Sequence, residues 1–184
     1  MSSRSVLDSD DVGRTVRRIA HEIVEKNPDL SEVAVVGIHT RGVVLAKRLQ
    51  DLLRELTGIE VPLGEIDISF YRDDLQSRSA DRQPVVHATR LDFPLEERTI
   101  IMVDDVLYTG RTVRAGIEAL FDYGRPARIQ LAVLCDRGHR ELPIRPDYVG
   151  KNLPTSRHER VAVSLEEADG TEGVTVSSPV EVVE

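Results

Sequence analysis

The 184-residue chain has a single cysteine, Cys135, so no internal disulfide framework can staple it. Cys135 follows an apolar run and reads as a buried packing residue. No apolar stretch is long enough to cross a bilayer and no signal peptide is visible, so a cytoplasmic protein with no membrane partner is expected. No Gly-x-x-x-x-Gly-Lys-Ser/Thr string occurs, which excludes a Walker A loop. Nor is there an RRM or KH-type RNA-binding module. Lys and Arg are missing from residues 161–184, which carry Glu166, Glu167, Asp169, Glu172, Glu181 and Glu184. Those carboxylates supply most of the net charge of −8, so the rest of the chain is nearly neutral and can still present a basic face to a polyanion.

What is present reads as one α/β domain, since the length suffices for a substantial core and no linker or repeat divides it. Residues 9–26 have helical spacing, with Ser9 as a cap and Val12, Val16, Ile19, Ile23 and Val24 on the apolar stripe; Asn27-Pro28 ends the helix. The run from Val33 to Ile38 reads as a buried strand, followed by the turn Thr40-Arg41-Gly42 and a helix through Val44, Leu45, Leu49, Leu52 and Leu53. Residues 65–71 alternate as a half-exposed strand. Residues 72–84 are polar and charged, as in a mobile loop. A strand over 128–134 ends at Asp136, after which prolines and glycines predict little regular structure over 137–156. Short strands are expected at 161–164 and 174–176. Strands alternating with helices give a mainly parallel sheet.

The most informative stretch runs from Thr99 to Thr112. An apolar strand ends at Asp104 and Asp105, where open α/β sheets bind ligands. After Val106 and Leu107, the loop Tyr108, Thr109, Gly110, Arg111 and Thr112 offers backbone N–H groups, three hydroxyls and a glycine that lets the chain bend around an anion. The helix after it adds a partial positive charge at its amino end. A phosphate cradle beside paired carboxylates suits a sugar phosphate. Thr40, Arg41 and Gly42, after another central strand, suit close approach to a pyrophosphate. His39 is assigned no role.

The stretch 103–112 closely resembles the phosphoribosyl pyrophosphate (PRPP) signature of type I phosphoribosyltransferases. With Tyr71-Arg72-Asp73-Asp74, with Asp136-Arg137-Gly138-His139-Arg140-Glu141-Leu142-Pro143-Ile144-Arg145, and with Gly150-Lys151-Asn152-Leu153-Pro154-Thr155-Ser156, the chain resembles the PyrR family. These are bifunctional pyrimidine-operon regulators with uracil phosphoribosyltransferase activity, and the resemblance runs from about Arg14 to Leu165.

The resemblance implies a type I phosphoribosyltransferase fold: a mainly parallel central sheet flanked by helices, with a small irregular hood. The single domain would span 1–184, with a mobile loop at about 72–84, a hood at about 136–160 and an acidic tail at 161–184. Uracil and PRPP would give UMP and diphosphate, with Mg²⁺ held mainly by PRPP and possibly also by Asp104 and Asp105. Asp104, Asp105 and Arg41 would be catalytic. Thr40, Gly42, Tyr71, Arg72 and residues 106–112 would bind substrate. Arg72, Arg78 and Arg82 are candidates to touch the departing diphosphate. A tyrosine at 108 and an aspartate at 136, where purine enzymes carry Asp and Lys, favour a pyrimidine; Asp136 could accept its N3–H. Tyr148 would stack on the base, with backbone groups near Val149 reading its edge. The resemblance also implies UMP-dependent binding to the mRNA leader of pyrimidine genes, with Arg14, Arg17, Arg18, His21, Arg140, Arg145 and Lys151 as candidate contacts, and a homodimer or larger homo-oligomer. A salvage enzyme without the RNA role is the alternative.

Overall fold

The computed structural model describes residues 2–73 and 87–178. Five strands form a parallel sheet in the order β3 (Leu63–Ile66), β2 (Val33–Ile38), β4 (Thr99–Leu107), β5 (Arg128–Asp136) and β6 (Tyr148–Asn152). Alternate residues of these strands serve opposite faces. Val35, Ile101, Val103 and Leu134 pack with the stripes of α1 (Ser9–Lys26) and α2 (Arg41–Thr57), while Val36, Ile100, Met102 and Val133 pack with Val113 and Leu120 of α3 (Arg111–Phe121). With both faces covered, β2 and β4 read as unbroken apolar runs.

α1 starts at a reciprocal capping box: Asp8 accepts from the Asp11 N–H at 2.8 Å, and Asp11 accepts from the Asp8 N–H. The cap is therefore Asp8 rather than Ser9. α2 ends in a left-handed Gly58, whose N–H bonds to the Arg54 carbonyl at 2.8 Å.

Three features depart from the sequence reading. The alternating pattern at 65–71 yields a strand only through Ile66, because Asp67 turns the chain by accepting from the Ser69 N–H and hydroxyl. Residues 148–152 form a regular edge strand within the segment expected to be irregular. Residues 161–178 of the expected acidic tail are built into the body, and the short strands expected at 161–164 and 174–176 are both present. There β7 (Arg160–Ser164), the short α4 (Glu166–Asp169) and β8 (Gly173–Ser178) form an antiparallel sheet with an N-terminal strand, β1 (Ser2–Leu7), in the order β1-β8-β7. Leu7, Val163, Leu165, Val174 and Val176 join the core beneath α1 and α2. β1 precedes the first expected element: six residues of mostly polar sequence carry little strand signal until a partner strand is found. Among the described residues no helix is long and apolar enough to cross a membrane.

Candidate functional site

The carboxyl ends of β2 and β4 meet at a cleft. Asp104 retains 7% of its exposure. It accepts the Asp105 N–H at 2.9 Å, and Asp105 accepts the Val106 N–H at 2.8 Å. Burial, reinforced by the adjacent Asp105 charge, pushes the Asp104 carboxyl well above the usual carboxylate range.

The chain then turns through Tyr108 and Thr109 to Gly110, whose φ of 93° is left-handed and disfavours a side chain. Gly110 is the N-cap position of α3 and has no side chain to cap it, so the helix amino end is available to an anion. The hood grips this turn. The Thr109 carbonyl accepts N–H bonds from Glu141 and Leu142 at 2.9 and 3.1 Å, and Arg140 Nη1 donates to the Tyr108 carbonyl at 2.9 Å. Arg111 is paired with Glu141 at 2.6 Å and also with Asp73.

On the other side of the carboxylates the His39–Thr40 peptide is cis. A Cβ at Gly42 would lie 2.4 Å from the Val103 carbonyl oxygen, so only glycine lets α2 start this close to β4. The cleft has two compartments, of about 390 and 380 Å³, which share Arg72, Asp104, Val106 and Thr112. Leu107, Tyr108, Thr109, Gly110 and Arg111 line the first; Thr40 and Asp105 line the second. The second is also lined by Asp67, His39 and His87. Burial opposes ionisation of Asp67, yet hydrogen bonds from Ser69 and the His87 N–H hold its carboxyl below the usual range. The two histidine rings stack at 4.5 Å, and His39 Nε2 lies 3.1 Å from Glu65 Oε2. No sequence signal marked His39; its place after a central strand was the only hint.

Several expected site residues lie elsewhere. The Arg41 guanidinium is bound by Asp169 of α4 and lines neither compartment. The Tyr71 hydroxyl is bonded to Asp122 beyond α3, which, with burial, pushes it up to about 12. Arg78 and Arg82 lie outside the described residues. Both Asp136 oxygens accept from Arg140, at 2.9 and 2.6 Å, and Oδ1 also takes the Gly138 N–H, which leaves little capacity for a base N–H. Tyr148 is 1% exposed, with its hydroxyl donating to Gln130 and accepting from Asn27. It is a core residue beneath α1 and does not reach the cleft. Val149 points to the opposite face of the sheet, packed against the cluster around α3. Arg137 and His139, passed over in the sequence reading, both contact the Tyr108 ring. Cys135 is buried, and burial pushes its thiol up to about 12.

The seven candidate RNA contacts divide. Arg14, Arg17, Arg18 and His21 are exposed on α1, which packs on β6, and the exposed Lys151 is on β6. Arg18 donates to the Val149 and Gly150 carbonyls of β6 at 3.3 and 2.5 Å. Arg14, Arg17 and Arg18 each also meet a carboxylate, Asp11, Glu55 and Glu22 respectively. Arg145 is exposed in the hood segment. Arg140 is half-buried and committed to the cleft wall, through Asp136, the Tyr108 carbonyl and the Ile144 carbonyl.

Among the described residues no three His, Cys, Asp or Glu side chains converge as a metal site. Two adjacent carboxylates fit a cation whose remaining ligands come from a substrate and water.

Residues 2–168 match the phosphoribosyl transferase domain family. A "Bifunctional protein PyrR" of Deinococcus radiodurans is 57% identical over 95% of this chain and 94% of that relative. One from Roseiflexus is 58% identical over 92% of each chain. Among solved structures, a hypoxanthine phosphoribosyltransferase of Trypanosoma cruzi superposes with a TM-score of 0.72 at 16% identity, covering 97% of this chain and 92% of that one. At that identity the likeness speaks for the fold, and it agrees with the parallel sheet and cleft described above. The paired carboxylates, the glycine-capped loop after them and these similarities together make the chain a member of the PyrR family of type I phosphoribosyltransferases.

Proposed function

We propose that the protein transfers the phosphoribosyl group of PRPP to uracil, giving UMP and diphosphate, and that UMP in turn governs its binding to the leader RNA of pyrimidine genes. The observation that carries the catalytic half is the convergence of Asp104, Asp105, Thr40 and residues 106–112 on one two-compartment cleft. The first compartment, with the α3 amino end at Gly110, takes the ribose phosphate. Thr40 and the backbone before Gly42 approach the diphosphate in the second. Asp104 and Asp105 span the shared wall and hold the ribose hydroxyls.

As the C1′–diphosphate bond breaks, its electron pair leaves with diphosphate and positive charge develops on the ribose ring. Uracil N1 attacks the opposite face of C1′ and loses its proton. Fixed carboxylates beside the developing cation favour it without reorganising, and the cleft holds the two reactants in line. Mg²⁺, with Asp104 and Asp105 as its candidate protein ligands, would neutralise charge on the departing diphosphate. No general base is required of the protein, because uracil N1–H is already fairly acidic.

The test is UMP formation from uracil, PRPP and Mg²⁺ by wild type and Asp105→Asn. Robust turnover that collapses in the variant supports this reading; failure of uracil alongside turnover of orotate or a purine would replace the substrate. The RNA half rests on the exposed α1–β6 surface with Arg14, Arg17, Arg18, His21 and Lys151. The alternative is a salvage enzyme without RNA binding, in which the three arginines serve only their carboxylate partners. UMP-dependent binding to a pyrimidine-gene leader decides between the two. The protein is proposed to act in the cytoplasm as a homodimer or larger homo-oligomer.

A further inference from the structure

With Tyr148 buried in the core, an aromatic ring that faces a planar base has to come from elsewhere. Tyr108 lines the first compartment, and among the residues lining it no other is aromatic. Its ring is held by two neighbours. The Arg137 guanidinium carbon lies 4.1 Å from the ring centroid, and His139 meets the ring edge-on at 6.0 Å and 76°. The Tyr108 carbonyl is tied to Arg140.

Arg137 is an expensive group to place here. It is 8% exposed, and among the described residues no carboxylate pairs with it. Its neighbour Asp136 is committed to Arg140. Its Nη2 donates to the Ser156 carbonyl at 3.0 Å, and its Nε is buried without a hydrogen-bond partner. A buried cation so poorly compensated is destabilising unless another contact offsets it. The contact present is the stack on Tyr108, where a desolvated cation–π pair is at its strongest.

We propose that Arg137 is a positioning residue that sets Tyr108 as the wall against which the pyrimidine ring is held. Arg137 does not itself line the cleft and acts through the tyrosine ring. This inference rests on the uracil activity proposed above. It gives the Asp-Arg-Gly-His-Arg segment a task in base binding that neither RNA contact nor base reading by Asp136 supplies.

The experiment is steady-state kinetics on Arg137→Gln, Tyr108→Ala and the double variant, with the KM for uracil and the KM for PRPP measured separately and folding checked by thermal unfolding. Arg137→Gln is expected to raise the uracil KM about tenfold, within the range of a desolvated cation–π contact, while the PRPP KM stays within about twofold. The double variant should be no worse than Tyr108→Ala, because both changes remove one unit. If Arg137→Gln does not fold, Arg137→Lys, which keeps a cation near the ring, is expected to show a smaller rise of the same kind. Equal rises in both KM values, additive losses or an unchanged uracil KM would each overturn the role of Arg137. A wild type that makes no UMP would overturn the activity along with it; an active wild type with unaffected variants overturns the positioning role alone.

Discussion

Arg41 and Asp169 form a two-point ion pair, Nε to Oδ2 at 3.0 Å and Nη2 to Oδ1 at 2.7 Å, that joins the first residue of α2 to the last of α4. Asp169 is held in turn by the Leu165 N–H at 2.9 Å. The pair occupies one whole edge of the guanidinium, the edge best suited to a second anion. Diphosphate taking that edge has to displace Asp169. Asp169→Asn is therefore expected to lower the PRPP KM about threefold, an effect absent in an Arg41→Ala background. A rise in KM would mean instead that Asp169 orients Arg41 toward the substrate.

Asp104 carries a stability cost that its proposed role explains. Its folded-state carboxyl is raised by burial and by Asp105 above the usual 3.8, so the folded protein binds this proton more tightly than the unfolded chain does. Stability is then lost as pH climbs from about 3.8 to the raised value, and stays lost above it. Asp104→Asn removes that loss. We expect the variant to melt at least about 2 °C higher at pH 7, with the gap closing below pH 4, while UMP formation collapses. A lower melting temperature at pH 7 would show that the carboxylate is compensated in the native state.

The same hairpin that supplies Asp169 also pairs Glu167 and Glu172 with Arg48, at 2.5 and 2.6 Å. Arg48 and Glu172 are only 22% and 11% exposed, so water screens them less than it does a surface pair. Hydrogen bonds from Arg48 hold both glutamates below their usual 4.5. Depressed carboxyls contribute stability above about 4.5 that disappears as pH falls through the lowered values. Arg48→Met should cost about 1–3 kcal/mol at pH 7 by urea denaturation, and much less at pH 3. A cost that does not vary with pH would assign the effect to packing.

Much of this was readable in the residues, and the exceptions have physical causes. The strand at 99–107 and the loop after it were legible because apolar run, acid pair and glycine agree at every level from period to turn chemistry. Tyr148 departs from the base-stacking place that the resemblance implies. What buries it is the β5–β6 pairing, aligning Ala132 with Tyr148, which no local pattern announces. The acidic C-terminal segment reads as a tail for a similar reason. Its carboxylates have partners 119 to 128 residues away on α2, and only the antiparallel β1-β8-β7 sheet brings them together. Arg140 looked like one basic residue among several until its fork was found closed on Asp136.

That last distinction separates the two proposed activities. Arg14 and Arg17 are well exposed, and their pairs with Asp11 and Glu55 are of the surface kind, which contribute little and which a phosphate can replace. If α1 contacts the leader RNA, Arg14→Gln and Arg17→Gln should each weaken binding at all sequences and reduce the slope of log K against log salt by about 0.7–0.9. UMP formation should be retained in both, since neither residue approaches the cleft. Arg140→Gln is expected to behave in the opposite way. It frees the Tyr108 carbonyl and leaves Asp136 half-buried without its cation, so UMP formation should fall at least about tenfold with the salt slope unaltered. Filter binding over a salt series, run beside the UMP assay on the same preparations, measures both. A reduced slope in Arg140→Gln would return that arginine to the RNA face. Unchanged slopes in the α1 variants would remove that helix from it.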